Sequence, residues 1–371
     1  MAITISLCMI VRDEEAVLGR CLDSVGDIAD EIILVDTGSS DRTKEIARTY
    51  TPHVYGYPWH DDFAAARNFS FSKATMQYCM WLDADDVLLP DDRRKLSQIK
   101  EALSSDVDVV MLPYCLSRDK NDNPVFQFYR ERIVRNTPAF RWQGQVHEVI
   151  PPSGKVVRLD ATVTHQKLHV SDPDRNLRIL EKVKNSPAGL SPRQRYYYGR
   201  ELKDHGRHLE AAEVLEQFLA EPEGWVVNKQ EASLLLAECY TAENRHEDAL
   251  AALWRGFLLP APPRAELCCA LGHLFLKETK YEHAIFWYQS ALSIPYRPEA
   301  DGFVQADCYG FLPCIWLCVC YDRLGDRERA EYYNEKAGSY QPDAPAYLYN
   351  RQYFATLRTK AKKDEKGEHN G

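Results

Sequence analysis

The feature that most constrains the fold of this chain is a change of sequence pattern partway along its 371 residues. From Ile3 to about His169, short apolar runs rich in β-branched residues alternate with stretches of helical spacing. From about Ser191 onward the β-rich runs disappear and only helical patterns remain. Because each pattern needs its own hydrophobic core, the change predicts an α/β domain followed by an all-α domain.

The first half opens in the order strand, helix, strand, helix, strand, which predicts a parallel sheet with helices on both faces. The three leading strand-like runs are Thr4–Val11, Glu31–Val35 and Tyr78–Leu82. In such sheets ligands bind beyond the carboxyl ends of the strands, so polar residues at those ends are the first candidates for a site. After Asp92 the pattern continues with further strand-like runs, namely Val107–Leu116, Val125–Val134, Gln145–Ile150 and Val156–Thr164.

The second half contains four loose copies of one helical pattern, each closed by a proline. A small residue recurs in the first helix of each copy, at Gly199, Ala237, Gly272 and Cys318. The spacing varies around the ~34-residue period of the tetratricopeptide repeat, which this half resembles. The resemblance predicts helix pairs that approach closely at the small residues, with an insertion around residues 297–306. The charged tail, residues 356–371, lacks an apolar pattern and is expected to be disordered.

Charge and cysteine content exclude several classes of protein. With 46 Lys and Arg against 55 Asp and Glu, the net charge is −9, which argues against a non-specific nucleic-acid binder. No apolar run approaches the roughly 20 residues of a membrane-spanning helix, and the apolar start reads as a strand rather than a signal peptide. The 11 cysteines include no Cys-x-x-Cys pair, so we expect reduced, mostly buried thiols in a cytoplasmic protein.

The most informative motif is the acidic string that follows the third strand-like run. Asp83, Asp85 and Asp86 stand directly after Leu82. Two carboxylates held at i and i+2 in a turn can share a hard divalent cation that keeps other positions for phosphate oxygens. The alternative is a solvated loop in which Asp85 or Asp86 caps the helix that begins near Pro90.

Two further motifs lie at predicted strand or helix positions of the same half. Asp36 ends the second strand-like run, where it can accept hydrogen bonds from a ribose or a base, and Gly38 permits a tight turn. Arg67 lies in a helical stretch before the acidic motif, where a cation can neutralise a diphosphate or pair with a carboxylate. The alternative for the Asp36–Gly38 motif is an ordinary strand–turn–helix connection without a ligand, which would use the same residue types.

Together these motifs resemble the inverting family 2 glycosyltransferases of the GT-A fold. The matching strings are residues 6–15, 35–43, 65–68 and 82–85, in the order and spacing of that family. The resemblance implies a Rossmann-like mixed sheet and a catalytic domain that uses a UDP-sugar donor with Mn²⁺ or Mg²⁺. Arg12-Asp13-Glu14 departs from the Asn-Glu of many members, and no role for Asp13 or Glu14 follows from the resemblance.

The resemblance also implies roles for five residues around the nucleotide. Val11 and Asp36 would border the uridine, and Arg67 would approach the nucleotide. Asp83 would touch the ribose or the metal, and Asp85 would ligate the metal.

An inverting transfer needs a base to deprotonate the acceptor, and a His-Glu pair late in this half resembles the "VHE" of one subgroup. Glu148 is the predicted base, with His147 as an orienting or substrate-contacting residue and Asp86 as the alternative base. In a strand, His147 and Glu148 would point to opposite faces. Several GT-A enzymes supply a third metal ligand from a histidine after the last catalytic strand. His165 fits that place, and His169 is its competitor.

A GT-A domain followed by tetratricopeptide-like repeats resembles the bacterial peptide S-glycosyltransferases that modify bacteriocin precursors. We therefore predict a catalytic domain over residues 1–175 and a helical repeat domain over residues 190–345. The predicted activity is transfer of a sugar to a peptide side chain, and the expected sugar is glucose. The alternatives are a glycan or lipopolysaccharide-core acceptor, and a catalytically inactive scaffold. The repeats also provide a surface suited to a peptide or a second copy of the chain, as in a homodimer.

Overall fold

The computed structural model describes residues 2–118, 124–168, 172–297 and 302–368. Contacts divide the chain into two units, residues 1–201 with 299–304, and residues 202–298 with 305–371. Within the described ranges, no helix combines the length and the apolar character needed to cross a membrane.

The first unit is built on one mixed sheet, which confirms the predicted α/β class. Among the described residues the strands follow the order β3-β2-β1-β4-β7-β6-β9-β5, and β8 pairs with β6. The strands are Ile5–Val11 (β1), Glu31–Asp36 (β2), Val54–Gly56 (β3), Tyr78–Trp81 (β4), Asp86–Leu88 (β5), Val109–Arg118 (β6), Pro124–Arg135 (β7), Val156–Arg158 (β8) and Val163–His165 (β9).

The sheet is parallel from β3 through β2 and β1 to β4, as the leading strand–helix alternation predicts. Beyond β4 it becomes mixed, because β7 runs antiparallel to both β4 and β6. The short strand β5 then pairs antiparallel with β9. That pairing sets Asp86 opposite His165, which brings two distant parts of the chain together.

Helices cover both faces of the sheet and leave the central strands buried on each side. In β1, Leu7 and Met9 belong to the core shared with α1 and α2, whereas Cys8 belongs to the core shared with α3. Burial on both faces explains why the strands read as continuous apolar runs. The helices of this unit are Leu18–Val25 (α1), Thr43–Tyr50 (α2), Phe63–Phe71 (α3), Pro90–Ala102 (α4), Arg175–Lys184 (α5) and Pro192–Asp204 (α6), the last of which continues into the second unit.

Two predicted strands differ from the observed ones. Residues 145–150 form no strand, only an isolated bridge between Gln143 and Val149. The cause is positive φ at Gly144 (94°) and His147 (51°), since an extended strand requires negative φ. The run Val156–Thr164 is split into β8 and β9, and β3 and β5 are too short for periodicity to have shown them.

The second unit consists of paired helices, as the repeats predict. Its helices are His208–Ala220 (α7), Val226–Ala242 (α8), His246–Leu258 (α9), Ala265–Lys277 (α10), Tyr281–Ser293 (α11), Phe311–Arg323 (α12), Arg327–Tyr340 (α13) and Pro345–Glu368 (α14), with a 3-10 turn at Ala306–Tyr309. Gly272 shows why small residues recur, because a Cβ there would lie 2.7 Å from the ring of Tyr288. All 11 cysteines are free, and ten are buried, as expected for packing thiols.

The contact-based division of the chain falls after Glu201. The predicted domain bounds, residues 1–175 and 190–345, stay predictions. The start of α6 belongs to the first unit because Tyr197 stacks on His147 and Arg193 donates to the carbonyl oxygen of His147. Of the segment 356–371 that is expected to be disordered, the described part belongs to α14, which continues to Glu368; residues 369–371 lie outside the described residues.

Candidate active site

The acidic motif forms a tight loop between β4 and β5. The backbone N–H of Asp86 donates to the carbonyl oxygen of Asp83 at 3.0 Å, and the N–H of Asp83 donates to Oδ2 of Asp86 at 3.0 Å. Asp86 and Arg132 are both fully buried and form an ion pair with 3.0 Å between Nη1 and Oδ2. Asp86 therefore anchors the loop, and this pairing argues against Asp86 as the alternative base.

Arg67 joins two of the predicted site residues. Its Nη2 donates to Oδ1 of Asp83 and its Nε donates to Oε1 of Glu148, each at 2.6 Å. The guanidinium lies beside the rings of Trp81 and Trp142, at 5.1 and 4.9 Å from their centroids, and the two rings contact each other edge to face. Burial opposes the charged form of Asp83, but the charges of Arg67, Arg132 and Arg130 and the hydrogen bond from Arg67 together outweigh it and lower the pKa of Asp83 to about 2.

Asp85, Asp86 and His165 form a cluster that could hold a metal ion. One ligand atom from each of the three residues lies within 4.8 Å of the others. The Nδ1 of His165 is 3.4 Å from a carboxylate oxygen of Asp85 and 3.4 Å from one of Asp86, and 3.0 Å from the hydroxyl of Tyr114. Two carboxylates and one imidazole suit Mn²⁺, and the oxygens alone suit Mg²⁺.

The protonation of His165 predicts how metal affinity depends on pH. Burial favours neutral imidazole, but hydrogen bonds with Asp85 and Asp86 outweigh it and raise the pKa of His165 to about 10. A metal ligand must be deprotonated, so binding through His165 releases one proton below that pKa. We expect the Mn²⁺ association constant to rise by up to about tenfold per pH unit between pH 6 and 8.

Calorimetric titration of Mn²⁺ at three pH values in that range, in buffers of different ionisation enthalpy, measures both the affinity and the proton release. The His165→Ala variant serves as the matched control, since its affinity should be weaker and less dependent on pH. Equal slopes in the two proteins would contradict ligation by His165.

The loops after β1 and β2 are tied together at the same edge of the sheet. Val11 and Asp36 are register partners, and both are buried. The Asp36 carboxylate accepts hydrogen bonds from the backbone N–H groups of Gly38 and Ser39, each at 3.1 Å. These bonds stabilise a sharp turn after β2. The predicted nucleotide contacts of Val11 and Asp36 thus fall at the carboxyl end of the parallel strands, and they stay predictions.

Glu14 is a site residue to which the motifs assigned no role. Burial, followed by repulsion from Asp85 and Asp83 and then from Asp41 and Asp13, raises the pKa of Glu14 to about 7. Negative charge is thus concentrated around the acidic loop. A divalent cation bound there would relieve the repulsion, which fits the predicted metal.

The His-Glu segment lies against α6 rather than in a strand. The Nε2 of His147 lies 2.9 Å from Oε1 of Glu201, and the imidazole stacks on the ring of Tyr197 with centroids 4.1 Å apart. The Glu148 carboxylate instead faces Arg67. The two side chains therefore have separate partners, as predicted for opposite directions, although the cause is a left-handed turn at His147 and not a strand.

The structure brings the predicted site residues into two sets. Asp83, Arg67 and Glu148 form one linked set, and Asp85 and His165 lie together with Asp86. The Asp83 side chain contacts Arg67 in this arrangement, so its predicted contact with the metal stays a prediction. His169, the competitor of His165, lies outside the described residues.

Sequence reasoning missed two polar residues that support these sets, Arg132 and Glu201. Arg132 interrupts an otherwise apolar strand-like run, and an isolated charge inside such a run is a signal of a buried ion pair. No local pattern marks Glu201, because its partner His147 is distant in sequence.

Comparisons with known proteins agree with this geometry. Residues 6–162 match the model of Glycosyl transferase family 2. A TPR repeat-containing protein of Synechococcus elongatus is 33% identical over 301 residues, which cover 78% of this chain and 66% of that protein. The SPbeta prophage-derived glycosyltransferase SunS of Bacillus subtilis is 27% identical over 58% of this chain and 53% of its own length.

A third relative, the lipopolysaccharide core biosynthesis glycosyltransferase LpsC of Rhizobium meliloti, is 29% identical over 41% of this chain and 58% of its own. The chain therefore spans between about half and just under two thirds of the length of these relatives. The resemblance that the four motifs predicted is confirmed for the N-terminal domain, and the repeat character is confirmed by the first relative.

Proposed function

From the family 2 glycosyltransferase domain formed by residues 6–162, we propose that this protein transfers glucose from UDP-glucose to a peptide side chain, with inversion at the anomeric carbon. The observation that carries the proposal is the cluster of Asp85, Asp86 and His165 at the carboxyl end of β4. The cluster lies where nucleotide ligands bind in open α/β sheets.

The residues of the cluster fit a divalent cation. Asp85 and His165 would hold Mn²⁺ or Mg²⁺, and Asp83 would contact either the metal or the ribose. When bound, such a cation neutralises the charge that develops on a diphosphate leaving group. Arg67 would add a fixed positive charge beside Asp83, while Val11 and Asp36 would border the uridine. The acceptor's proton would go to the His147–Glu148 pair, of which the sequence favours Glu148.

The peptide acceptor is supported by the arrangement of a glycosyltransferase domain before tetratricopeptide-like repeats, which stack into surfaces suited to extended peptides. The relative named for lipopolysaccharide core biosynthesis favours the alternative, a glycan acceptor. An inactive scaffold is the third alternative, and the presence of every predicted carboxylate argues against it. The free cysteines support a cytoplasmic location, and a homodimer through the repeats stays a prediction.

A donor panel tests the proposal. Purified protein is incubated with UDP-glucose, UDP-galactose, UDP-N-acetylglucosamine and GDP-mannose, with and without Mn²⁺, and the released nucleotide is measured. We expect metal-dependent UDP release that is fastest with UDP-glucose. Absence of release from every donor, together with absence of calorimetric UDP binding, would contradict the proposal.

The acceptor is tested with the same donor. A mixture of cysteine- and serine-containing peptides and a mixture of lipopolysaccharide core oligosaccharides are supplied separately, and mass spectrometry measures the added hexose. Added mass on peptides supports the proposed acceptor, and added mass only on oligosaccharides favours the alternative.

A further inference from the structure

His147 is held in an unusual backbone conformation by contacts from α6. Its φ of 51° lies in the left-handed region, which non-glycine residues seldom adopt away from functional sites. The conformation is fixed from two sides. Arg193 donates from Nε to the carbonyl oxygen of His147 at 3.0 Å, and Tyr197 stacks on the imidazole with only 10° between the ring planes. The fold therefore fixes the direction in which this imidazole points.

The imidazole forms a dyad with a carboxylate. Nε2 of His147 lies 2.9 Å from Oε1 of Glu201, and Asn176 donates to the same oxygen at 3.1 Å. An ionised carboxylate only accepts hydrogen bonds, so the Nε2 atom carries the proton and Nδ1 carries a free lone pair. Among the described residues no hydrogen bond occupies Nδ1, and the His147 side chain is 28% exposed.

Glu148 is bound differently. Its Oε1 accepts a charge-assisted hydrogen bond from Arg67, whose buried guanidinium lies beside two tryptophan rings. The Glu148 side chain is only 11% exposed. Protonation of Glu148 would leave the buried Arg67 charge facing a neutral acid and would weaken this bond. Protonation of His147 has the opposite consequence, because the new imidazolium charge would face the Glu201 carboxylate.

We propose that His147, positioned by Glu201, is the base that deprotonates the acceptor, and that Glu148 instead holds Arg67. This inference rests on the proposed glycosyl transfer. In the step, the acceptor heteroatom attacks the anomeric carbon and forms the new glycosidic bond. The bond between the anomeric carbon and the UDP oxygen breaks, and its electron pair leaves with UDP. The acceptor's proton passes to Nδ1 of His147. Glu201 does not touch the reacting atoms and is a positioning residue.

Charged groups other than its two members lie near the dyad in the described part of the chain. Arg193 contacts both His147 and Tyr197, and Glu148 is the next residue along the chain. Arg175 at the start of α5 interacts electrostatically with both Glu148 and Glu201. Glu201→Gln keeps all three of these charged groups in place, although Arg175 loses its interaction with the Glu201 charge.

The test compares His147→Asn, Glu201→Gln and Glu148→Gln in the full-length protein. Asparagine at 147 is chosen because it tolerates the left-handed conformation. The rate of UDP release from UDP-glucose, with water as the acceptor, is followed from pH 5 to 9 at Mn²⁺ concentrations that saturate each variant at each pH, so that weaker metal binding at acid pH does not affect the profile. Calorimetry measures UDP binding in each variant. His53→Asn, which replaces an exposed histidine, is the matched control.

If His147 is the base, the wild-type rate falls at acid pH as the imidazole takes up a proton. His147→Asn should lower the rate at least about a hundredfold and abolish the acidic limb, with UDP affinity retained. Glu201→Gln should shift that limb to lower pH, because the imidazolium loses its carboxylate. Glu148→Gln should retain the limb, and His53→Asn should match the wild type.

Two outcomes overturn the assignment alone, namely an acidic limb that persists in His147→Asn but vanishes in Glu148→Gln, and an unshifted limb in Glu201→Gln. A wild-type protein that releases no UDP from any donor overturns the proposed function as well. The donor panel therefore distinguishes failure of the base assignment from failure of the proposed function.

Discussion

Replacement of Asp85 by alanine is expected to reduce UDP release and sugar transfer by about a thousandfold or more. Asp85 lies within reach of His165 and is 19% exposed, and it has no arginine partner among the described residues. Of the two carboxylates in the cluster, that of Asp85 is therefore the more available to ligate a metal ion. Loss of the cation would remove several kcal/mol of leaving-group stabilisation, and about 4 kcal/mol corresponds to a thousandfold in rate.

The measurement is UDP release from UDP-glucose at saturating Mn²⁺, alongside calorimetric titration of Mn²⁺ itself. Asp91→Ala is the matched control, because the Asp91 side chain is 78% exposed and pairs with Arg94 at the surface of α4. We expect this control to keep wild-type rates. An Asp85→Ala protein that retained a tenth of the wild-type rate would contradict a metal-binding role for Asp85.

Replacement of the adjacent Asp86 by asparagine should act mainly on stability. Asp86 and Arg132 have no solvent exposure, and Arg132 also lies over the rings of Trp81 and Tyr114 at 3.8 and 4.3 Å. Removing one partner of a buried ion pair leaves an uncompensated charge, which costs about 3–5 kcal/mol of the free energy of unfolding. The same change weakens the loop that presents Asp85, since Asp86 accepts the N–H of Asp83.

Urea denaturation measures this effect, with the first unit followed through its tryptophans. Asp85→Asn is the closest control, because the partly exposed His165 keeps Asp86 as a partner, and its free energy of unfolding should fall by less than that of Asp86→Asn. Adding Arg132→Met to Asp86→Asn should restore part of the stability, because the unpaired charge is then gone. Equal stabilities for Asp85→Asn and Asp86→Asn would show that the ion pair does not hold the loop.

The three aspartates of the acidic motif show how much of this site could be predicted from the sequence. Asp83, Asp85 and Asp86 look alike in the motif, and their position after a buried strand predicts a cation site for the group as a whole. Their separate surroundings come from other parts of the chain. Arg67 engages Asp83, Arg132 engages Asp86, and His165 approaches Asp85.

Hydrophobic periodicity mispredicted or missed some strands, and each case has a physical reason. The segment from Gln145 to Ile150 has the alternation of a strand, but left-handed residues bend it into an irregular loop. In that loop the side chains of His147 and Glu148 have different partners, because the histidine contacts Glu201 and the glutamate contacts Arg67. Short strands such as β5 contain too few residues to show a period, although β5 sets the register that aligns Asp86 with His165.

The sequence by itself determined the two-part architecture, the resemblance of residues 6–162 to Glycosyl transferase family 2 and the identity of the acidic motif. Those properties depend on local patterns, namely periodicity, strand-end motifs and repeated small residues. Only the tertiary structure decided which aspartate pairs with which arginine, which lies beside His165, and which residue contacts His147. These assignments depend on contacts between residues far apart in the chain, because burial and charge pairing are set by the surroundings that folding brings together.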